Sequence, residues 1–339
     1  MKVLVTGAGG FAGRHLCRAL LREGHWVAGT VESFPSSPAQ DVSHLHVLEH
    51  VSRVELDVRD ADRCRSIVDS IRPDWIFHLA ALTFVPASLD SPVETYRVNF
   101  LGTLNVLEAV RQSCPSTRFV FVSSSEVYGR PRYLPIDELH PLAPVNPYSG
   151  SKAAADLLCF QYAESYGLDI IRVRPFNHSG PGQSDSFVIS ALSRQVAEIE
   201  VRLREPMLKV GNLDNRRDFS DVRDVVQAYI AAAEKGRRGV AYNVCSGSSH
   251  SVRELLEWLL EASRAQTASP GQRIAGQEVV VMADPTRIRP DEVPEVLGSN
   301  KAALDELQWA PVIPLRQTVT DCLDWWRAQL RTVGSTTEE

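Results

Sequence analysis

The chain is 339 residues long, enough for one large α/β domain or two smaller ones with a full core. Its 42 acidic and 36 basic residues leave a net charge of −6 without a basic stripe, which argues against a nucleic-acid surface. No apolar run approaches the roughly 18–20 residues of a membrane span, MKVLVTGAGG is too briefly apolar for a signal peptide, and six scattered cysteines without C-x-x-C read as buried thiols of a cytoplasmic protein.

Residues 2–6, KVLVT, read as a valine-rich strand, GAGGFAG as a tight turn, and RHLCRALLREG as an amphipathic helix closed by Gly24. In that context a glycine motif is a phosphate site. Gly7 permits the turn, Gly10 lets the backbone approach a pyrophosphate, and Gly13 lets helix and strand pack closely. Further strands are expected at 25–30, 53–58, 73–81, 117–125 and 168–175, with helices at 60–72, 92–113 and 148–166. The histidines of HLHVLEH (44–50) lack the acidic or cysteine partners of a metal site and read as a surface loop. Alternating strands and helices imply right-handed βαβ units and a doubly wound parallel sheet, whose ligands bind at the carboxyl ends of its strands.

Two of those ends bear on a dinucleotide. Asp57, followed by Val58, reads equally as an acceptor for an adenine amino group and as the N-cap of the helix at 60–72. The second strand ends in GTVESF, and no Lys or Arg occurs between Arg22 and Arg53. A 2′-phosphate wants an arginine there, so Glu32 points to a free ribose 2′-hydroxyl and slightly favours NAD(H) over NADP(H).

The stretch NPYSGSK (146–152) sets Tyr148 one helical turn before Lys152, and Ser124 closes the strand at 117–125. Tyr-x-x-x-Lys alone is an ordinary i,i+4 pair; at the carboxyl edge of a parallel sheet it becomes a catalytic one. A free tyrosine titrates near ~10. An ammonium one turn away favours the phenolate and lowers that value by roughly 1–3 units. The tuned phenol can exchange a proton with a sugar hydroxyl or carbonyl while Ser124 fixes the same oxygen and Lys152 holds the nicotinamide ribose, as hydride transfer requires.

In their order, TGAGGFAG, HLAA, SSSEVYG and YSGSK resemble the extended short-chain dehydrogenase/reductase family of nucleotide-sugar enzymes, and the likeness runs from residue 1 to about 330. The resemblance implies a Rossmann domain over 1–175, with 218–245 returning to it. It also implies a smaller mixed α/β substrate domain over 176–217 and 246–331; residues 332–339 read as a disordered tail. Further implied are the triad Ser124, Tyr148 and Lys152, and cofactor contacts at Phe11, Leu79, Ala80, Ala81, Asn99, Pro175 and His178. His178 reads alternatively as a satisfied buried histidine. A homodimer through helices 92–113 and 148–166 is implied as well.

RPFNHSGPGQ, EPMLKVGNLDNRRDFSDVRDVVQAY, YNVCSG and RPDEVPEVLGSNKAALDELQW resemble the GDP-mannose branch of that family. The branch implies GDP-sugar contacts at Thr83, Ser125, Asn177, Val188, Lys209, Arg217, Arg289 and Glu292. Arg217 and Arg289 suit bidentate phosphate recognition, but read equally as a surface ion pair and a turn. The expected reaction is reduction of the C4 keto group of GDP-4-keto-6-deoxy-D-mannose to GDP-D-rhamnose, with Tyr148 as proton donor. A 4,6-dehydratase or 4-epimerase, with Glu126 as base, is the alternative; GPGQSDSFV stands where the dehydratases carry an Arg-Arg pair. A non-catalytic, cofactor-sensing protein is the remote alternative, opposed by the intact triad.

Overall fold

The computed structural model describes residues 1–32, 50–264, 273–274, 277–285 and 293–335. Its elements begin with β1 (Lys2–Thr6), α1 (Phe11–Arg22), β2 (Trp26–Val31), β3 (Ser52–Glu55), α2 (Ala61–Ile71), β4 (Trp75–His78), α3 (Val85–Asp90), α4 (Pro92–Tyr96), α5 (Gly102–Ser113), β5 (Arg118–Val122), α6 (Pro147–Tyr166) and β6 (Ile170–Pro175). They continue with β7 (Asn177–Ser179), α7 (Val188–Glu200), β8 (Met207–Val210), β9 (Arg216–Asp221), α8 (Val222–Lys235), β10 (Ala241–Val244), β11 (Ser249–Ser251) and α9 (Val252–Arg264). Last come β12 (Arg273–Ile274), β13 (Gln277–Glu278), β14 (Val280–Ala283), β15 (Glu295–Val296) and α10 (Leu315–Ser335).

The chain divides into two units. The first, residues 1–176, 222–245 and 298–310, is built on a parallel sheet of order β10-β6-β5-β4-β1-β2-β3. Side-chain alternation splits its core in two. Val3, Val5, Phe77, Val120 and Val173 join α1 and α8 on one face, while Leu4, Ile76, Phe119, Phe121 and Ile170 join α2, α5 and α6 on the other. Strands buried on both faces need the near-continuous apolar runs seen here, and each such side chain contributes ~1.5–3 kcal/mol on burial.

The second unit, residues 177–221, 246–297 and 311–339, packs α7, α9 and α10 around a separate core that includes Leu192, Val196, Leu255, Leu259 and Leu323. Here β9 pairs with β7, β11 and β15, while β8 pairs with β14 and β12 with β13.

Four expectations are corrected. The helix expected at 92–113 is interrupted by a wide π turn, Arg97–Leu101, which turns the Asn99 side chain inward. Residues 298–310 fold with the first unit: Ala303, Leu307 and Trp309 enter its core, and the Trp309 indole donates to the Asp224 carbonyl (2.9 Å). Residues 218–221 belong to β9 and hence to the second unit. The backbone of α10 continues to Ser335, through part of the expected tail. Residues 336–339, Arg289, Glu292, His44 and His46 lie outside the described residues.

Candidate active site

Helix α6 starts where its sequence caps it. The Asn146 side chain accepts from Ser149 N–H (2.8 Å), the Ser149 hydroxyl accepts from Asn146 N–H (3.1 Å), and Pro147 occupies the first turn. Tyr148 and Lys152 then fall on one buried face, 8% and 3% exposed. Ser124 follows β5 at the same sheet edge, close enough to the Tyr148 phenol to act on its ionisation; its hydroxyl accepts from Glu126 N–H (3.2 Å). Glu126 itself is exposed, on the short 3₁₀ turn Ser125–Tyr128, with half-buried Ser125 before it.

The electrostatics differ from the expectation that Lys152 draws the phenol toward its anion. Burial pushes Tyr148 up to about 12; the nearby Ser124 hydroxyl opposes this and the Glu126 carboxylate adds to it. The Lys152 ammonium donates to the Val122 carbonyl (2.5 Å) and lies over the Phe121 ring (4.7 Å), so it is directed at β5. Burial pulls it down to about 8. The resting site therefore holds a neutral phenol, the form that donates a proton.

A chain of buried hydrogen bonds that sequence reasoning missed runs beneath this pair. Thr6 Oγ1 bonds His78 Nδ1 (2.8 Å), His78 Nε2 bonds Thr103 Oγ1 (3.0 Å), and the Thr103 hydroxyl donates to the Asn99 carbonyl (2.7 Å). With Thr103 thus donating onward, His78 carries its proton on Nε2 and accepts at Nδ1. Burial holds His78 at about 3, with Lys152 adding to the shift, so it stays neutral. Asn99 Nδ2 donates to Ser151 Oγ (2.9 Å), which donates to the Tyr148 carbonyl (2.8 Å). Asn99 also pairs with both backbone groups of Leu82. It ties Leu82, directly after Leu79–Ala80–Ala81 and before exposed Thr83, to Ser151 of α6.

The glycine turn fits a pyrophosphate by its tightness. Gly7 has φ +71°, and a Cβ there would meet Ala80 N at 2.8 Å; a Cβ on Gly13 would meet the Gly7 carbonyl at 2.3 Å. Gly10 caps α1 without a side-chain hydrogen bond, leaving the first N–H groups of the helix, from Phe11 onward, toward the strand ends. Gly7, Glu32, Asp57, Leu79, Ser124 and Pro175 all follow or end parallel strands, so they share one edge of the sheet. A dinucleotide fits this edge.

At its β2–β3 end, a residue overlooked in the sequence dominates. Arg59 grips Asp57 through Nε (2.9 Å) and Nη2 (2.7 Å), reaches Glu32 (3.3 Å), and bonds Glu94. The Arg59 guanidinium bound to Asp57 lowers that carboxyl below the usual carboxylate range. The N-cap of α2 is Asp60, which accepts from Arg63 N–H (2.9 Å), so the capping reading of Asp57 is wrong. Val58 is buried under Gly102, where a Cβ would lie 2.6 Å from it.

In the second unit, Asn177 and His178 lie on β7, opposite Phe219 and Ser220 of β9. Val188 opens α7, and the exposed Lys209 is fixed through its backbone by Gln195 (2.9 and 3.1 Å). Arg217 donates to the Arg216 carbonyl (2.8 Å), while the Arg216 side chain bonds Ser249 and Glu254.

The family model described as GDP-mannose 4,6 dehydratase matches residues 4–322. The GDP-6-deoxy-D-mannose reductase of Pseudomonas aeruginosa is 36% identical over 97% of this chain and 98% of its own length. A GDP-mannose 4,6-dehydratase of Vibrio cholerae is 32% identical over 94% of this chain and 91% of its own. The structure of RMD from Pseudomonas aeruginosa complexed with NADPH superimposes with a TM-score of 0.80 at 34% identity, covering 97% of this chain and 99% of that one. Thermus thermophilus UDP-glucose 4-epimerase in complex with NAD gives 0.79 at 28% identity, covering 96% and 99%.

Proposed function

This chain belongs to the GDP-mannose 4,6-dehydratase family of nicotinamide-dependent nucleotide-sugar enzymes, and from that premise we propose that it reduces the C4 keto group of GDP-4-keto-6-deoxy-D-mannose to GDP-D-rhamnose. The observation that carries this reading is Tyr148, a buried phenol kept protonated beside Ser124. When bound, NAD(P)H supplies the hydride. Ser124 orients the substrate carbonyl, Tyr148 gives its proton to that oxygen as negative charge develops, and the Lys152 ammonium one turn away stabilises the phenolate left behind. The reductase relative and the missing Arg-Arg pair in GPGQSDSFV support reduction over dehydration. Dehydration with Glu126 as base is the second reading, favoured by the nearness of that carboxylate to Tyr148.

NAD(H) is favoured over NADP(H), because a 2′-phosphate at the β2 end would join Glu32, Asp57 and Glu94 around one arginine, Arg59. We assign the GDP-sugar to Thr83, Ser125, Asn177, Val188, Lys209, Arg217, Arg289 and Glu292. We also assign a cytoplasmic homodimer through α4, α5 and α6, on whose outer faces Val93, Tyr96, Leu157 and Phe160 are exposed. Sedimentation of Phe160→Glu tests the dimer: a variant that stays dimeric removes that interface.

The test of function supplies GDP-mannose, alone and after conversion by a known 4,6-dehydratase, with NADH or NADPH. Oxidation of the cofactor only with the converted sugar supports the reductase. Loss of GDP-mannose to a keto sugar, without cofactor consumption, overturns it in favour of the dehydratase.

A further inference from the structure

One turn beyond Lys152, on the same face of α6, stands Asp156, fully buried. Its carboxylate receives Arg172 Nη1 (2.6 Å) and Arg174 Nε and Nη2 (3.0 and 2.8 Å), both from the face of β6 turned toward α6. Arg174 is 4% exposed and continues the chain: its Nη1 donates to the Tyr128 hydroxyl (3.0 Å), and its guanidinium lies over the Tyr128 ring (5.2 Å). Tyr128 donates in turn to Asn243 Oδ1 (2.7 Å), whose Nδ2 donates to the Ile136 carbonyl (3.0 Å). Tyr128 ends the 3₁₀ turn that starts directly after Ser124 and carries Glu126.

We propose that Asp156, Arg174 and Tyr128 form a buried strut of positioning residues that sets the helix bearing Tyr148 and Lys152 against the turn bearing Ser124 and Glu126. The proposal rests on the triad reading above. One guanidinium touches both halves of the catalytic centre from below, so the separation of Ser124 from Tyr148 is fixed by Asp156–Arg174 on one side and Arg174–Tyr128 on the other. Displacements of this kind, on the order of 1 Å, cost roughly 10²-fold in turnover.

The strut has an electrostatic side. The ionisable groups around Lys152 are Tyr148, Asp156 and Cys159 on its own helix and His78 on β4, with Arg172 and Arg174 of β6 behind Asp156. Burial keeps Tyr148, Cys159 and His78 neutral. Asp156 supplies the negative charge among them: burial raises it, but the Arg174 hydrogen bond and charge more than reverse this, so it stays ionised. Its charge raises Lys152 against the effect of burial, and that support is lost without it.

The experiment compares kcat, KM and pH profiles of ketone reduction for Asp156→Asn, Asp156→Glu, Tyr128→Phe and Tyr148→Phe in the full-length protein. Asp156→Asn is expected to lose roughly 10–100-fold in kcat. Its cofactor KM should hold, and the alkaline limb of kcat/KM should move to lower pH. Asp156→Glu, keeping the charge, should bring that limb back. Tyr128→Phe keeps the packed ring and should lower kcat without moving the limb. An Asp156→Asn protein that melts earlier but retains kcat and its pH limb shows a purely structural salt bridge and overturns the proposal. Should that variant fail to fold, unchanged kcat in Tyr128→Phe overturns it. If Tyr148→Phe turns over normally, the triad reading falls and the strut falls with it; if Tyr148→Phe is dead while the other variants are normal, only the strut falls.

Discussion

Tyr148→Phe is the sharpest single perturbation of the proposed chemistry. The ring keeps its buried seat and only one oxygen is lost. That oxygen interacts with the neighbouring Ser124, and a neutral pair of this kind is worth at most ~0.5–1.5 kcal/mol net. Ser124 retains its bond from Glu126 N–H (3.2 Å), so it is not left bare. The melting temperature should therefore fall by no more than ~2–4 °C. Turnover should fall far more. A positioned general acid contributes roughly 10²–10⁴-fold, or ~3–5 kcal/mol of barrier. The assay follows oxidation of the reduced cofactor with GDP-4-keto-6-deoxy-D-mannose, beside a separate titration of cofactor binding. Turnover within about tenfold of the parent, with cofactor bound normally, refutes Tyr148 as proton donor.

Lys152→Met tests the pH dependence. Lys152 is drawn down to about 8, so the ammonium proposed to stabilise the phenolate left on Tyr148 is present below that value and lost above it. Parent kcat/KM for reduction should hold at lower pH and decline as pH rises through about 8, and the methionine variant should be slow with that limb absent. Gly13→Ala tests the cradle: its Cβ would lie 2.3 Å from the Gly7 carbonyl, so the turn must open. Cofactor affinity should drop, and stability should fall by about 1–3 kcal/mol, measured by denaturant titration.

The first unit was legible because its signals are local and repeated. Valine-rich strands, the glycine turn and a helix opened by Asn146-Pro147 each state the same architecture. Tyr148 and Lys152 were legible for the same reason, since four residues on one helix fix a shared face. What was not legible depends on contacts between distant segments. Arg59 stands 27 residues from Glu32 and 35 from Glu94, and no periodicity announces that they meet. His78 joins Thr6 to Thr103 across three elements. The π turn at Arg97–Leu101 follows from Asn99 bonding Leu82 and Ser151, a tertiary demand on an otherwise helical sequence. The direction of the Lys152 side chain was missed because spacing predicts a neighbour but not an aim: the Val122 carbonyl and Phe121 ring compete for the ammonium.

Glu126 is where the two readings of this site separate by magnitude. Under the dehydratase reading its carboxylate removes a proton from carbon, and loss of such a base costs roughly 10²–10⁴-fold. Under the reductase reading it touches no transferred proton. Its charge, near the phenol, raises Tyr148 and so helps to hold it in the donating form. Burial is the larger cause of that shift, and an exposed charge acts through water, with effects of ~0–1 kcal/mol, or less than about fivefold. Glu126→Gln keeps the shape and the backbone bond to Ser124 while removing the charge. Reduction of the keto sugar by this variant should therefore stay within about fivefold of the parent, while the alkaline limb shifts little because Lys152 governs it. A loss of two or more orders of magnitude would mean that the carboxylate takes part in proton transfer, and the reductase mechanism with Tyr148 as its sole proton donor would be wrong.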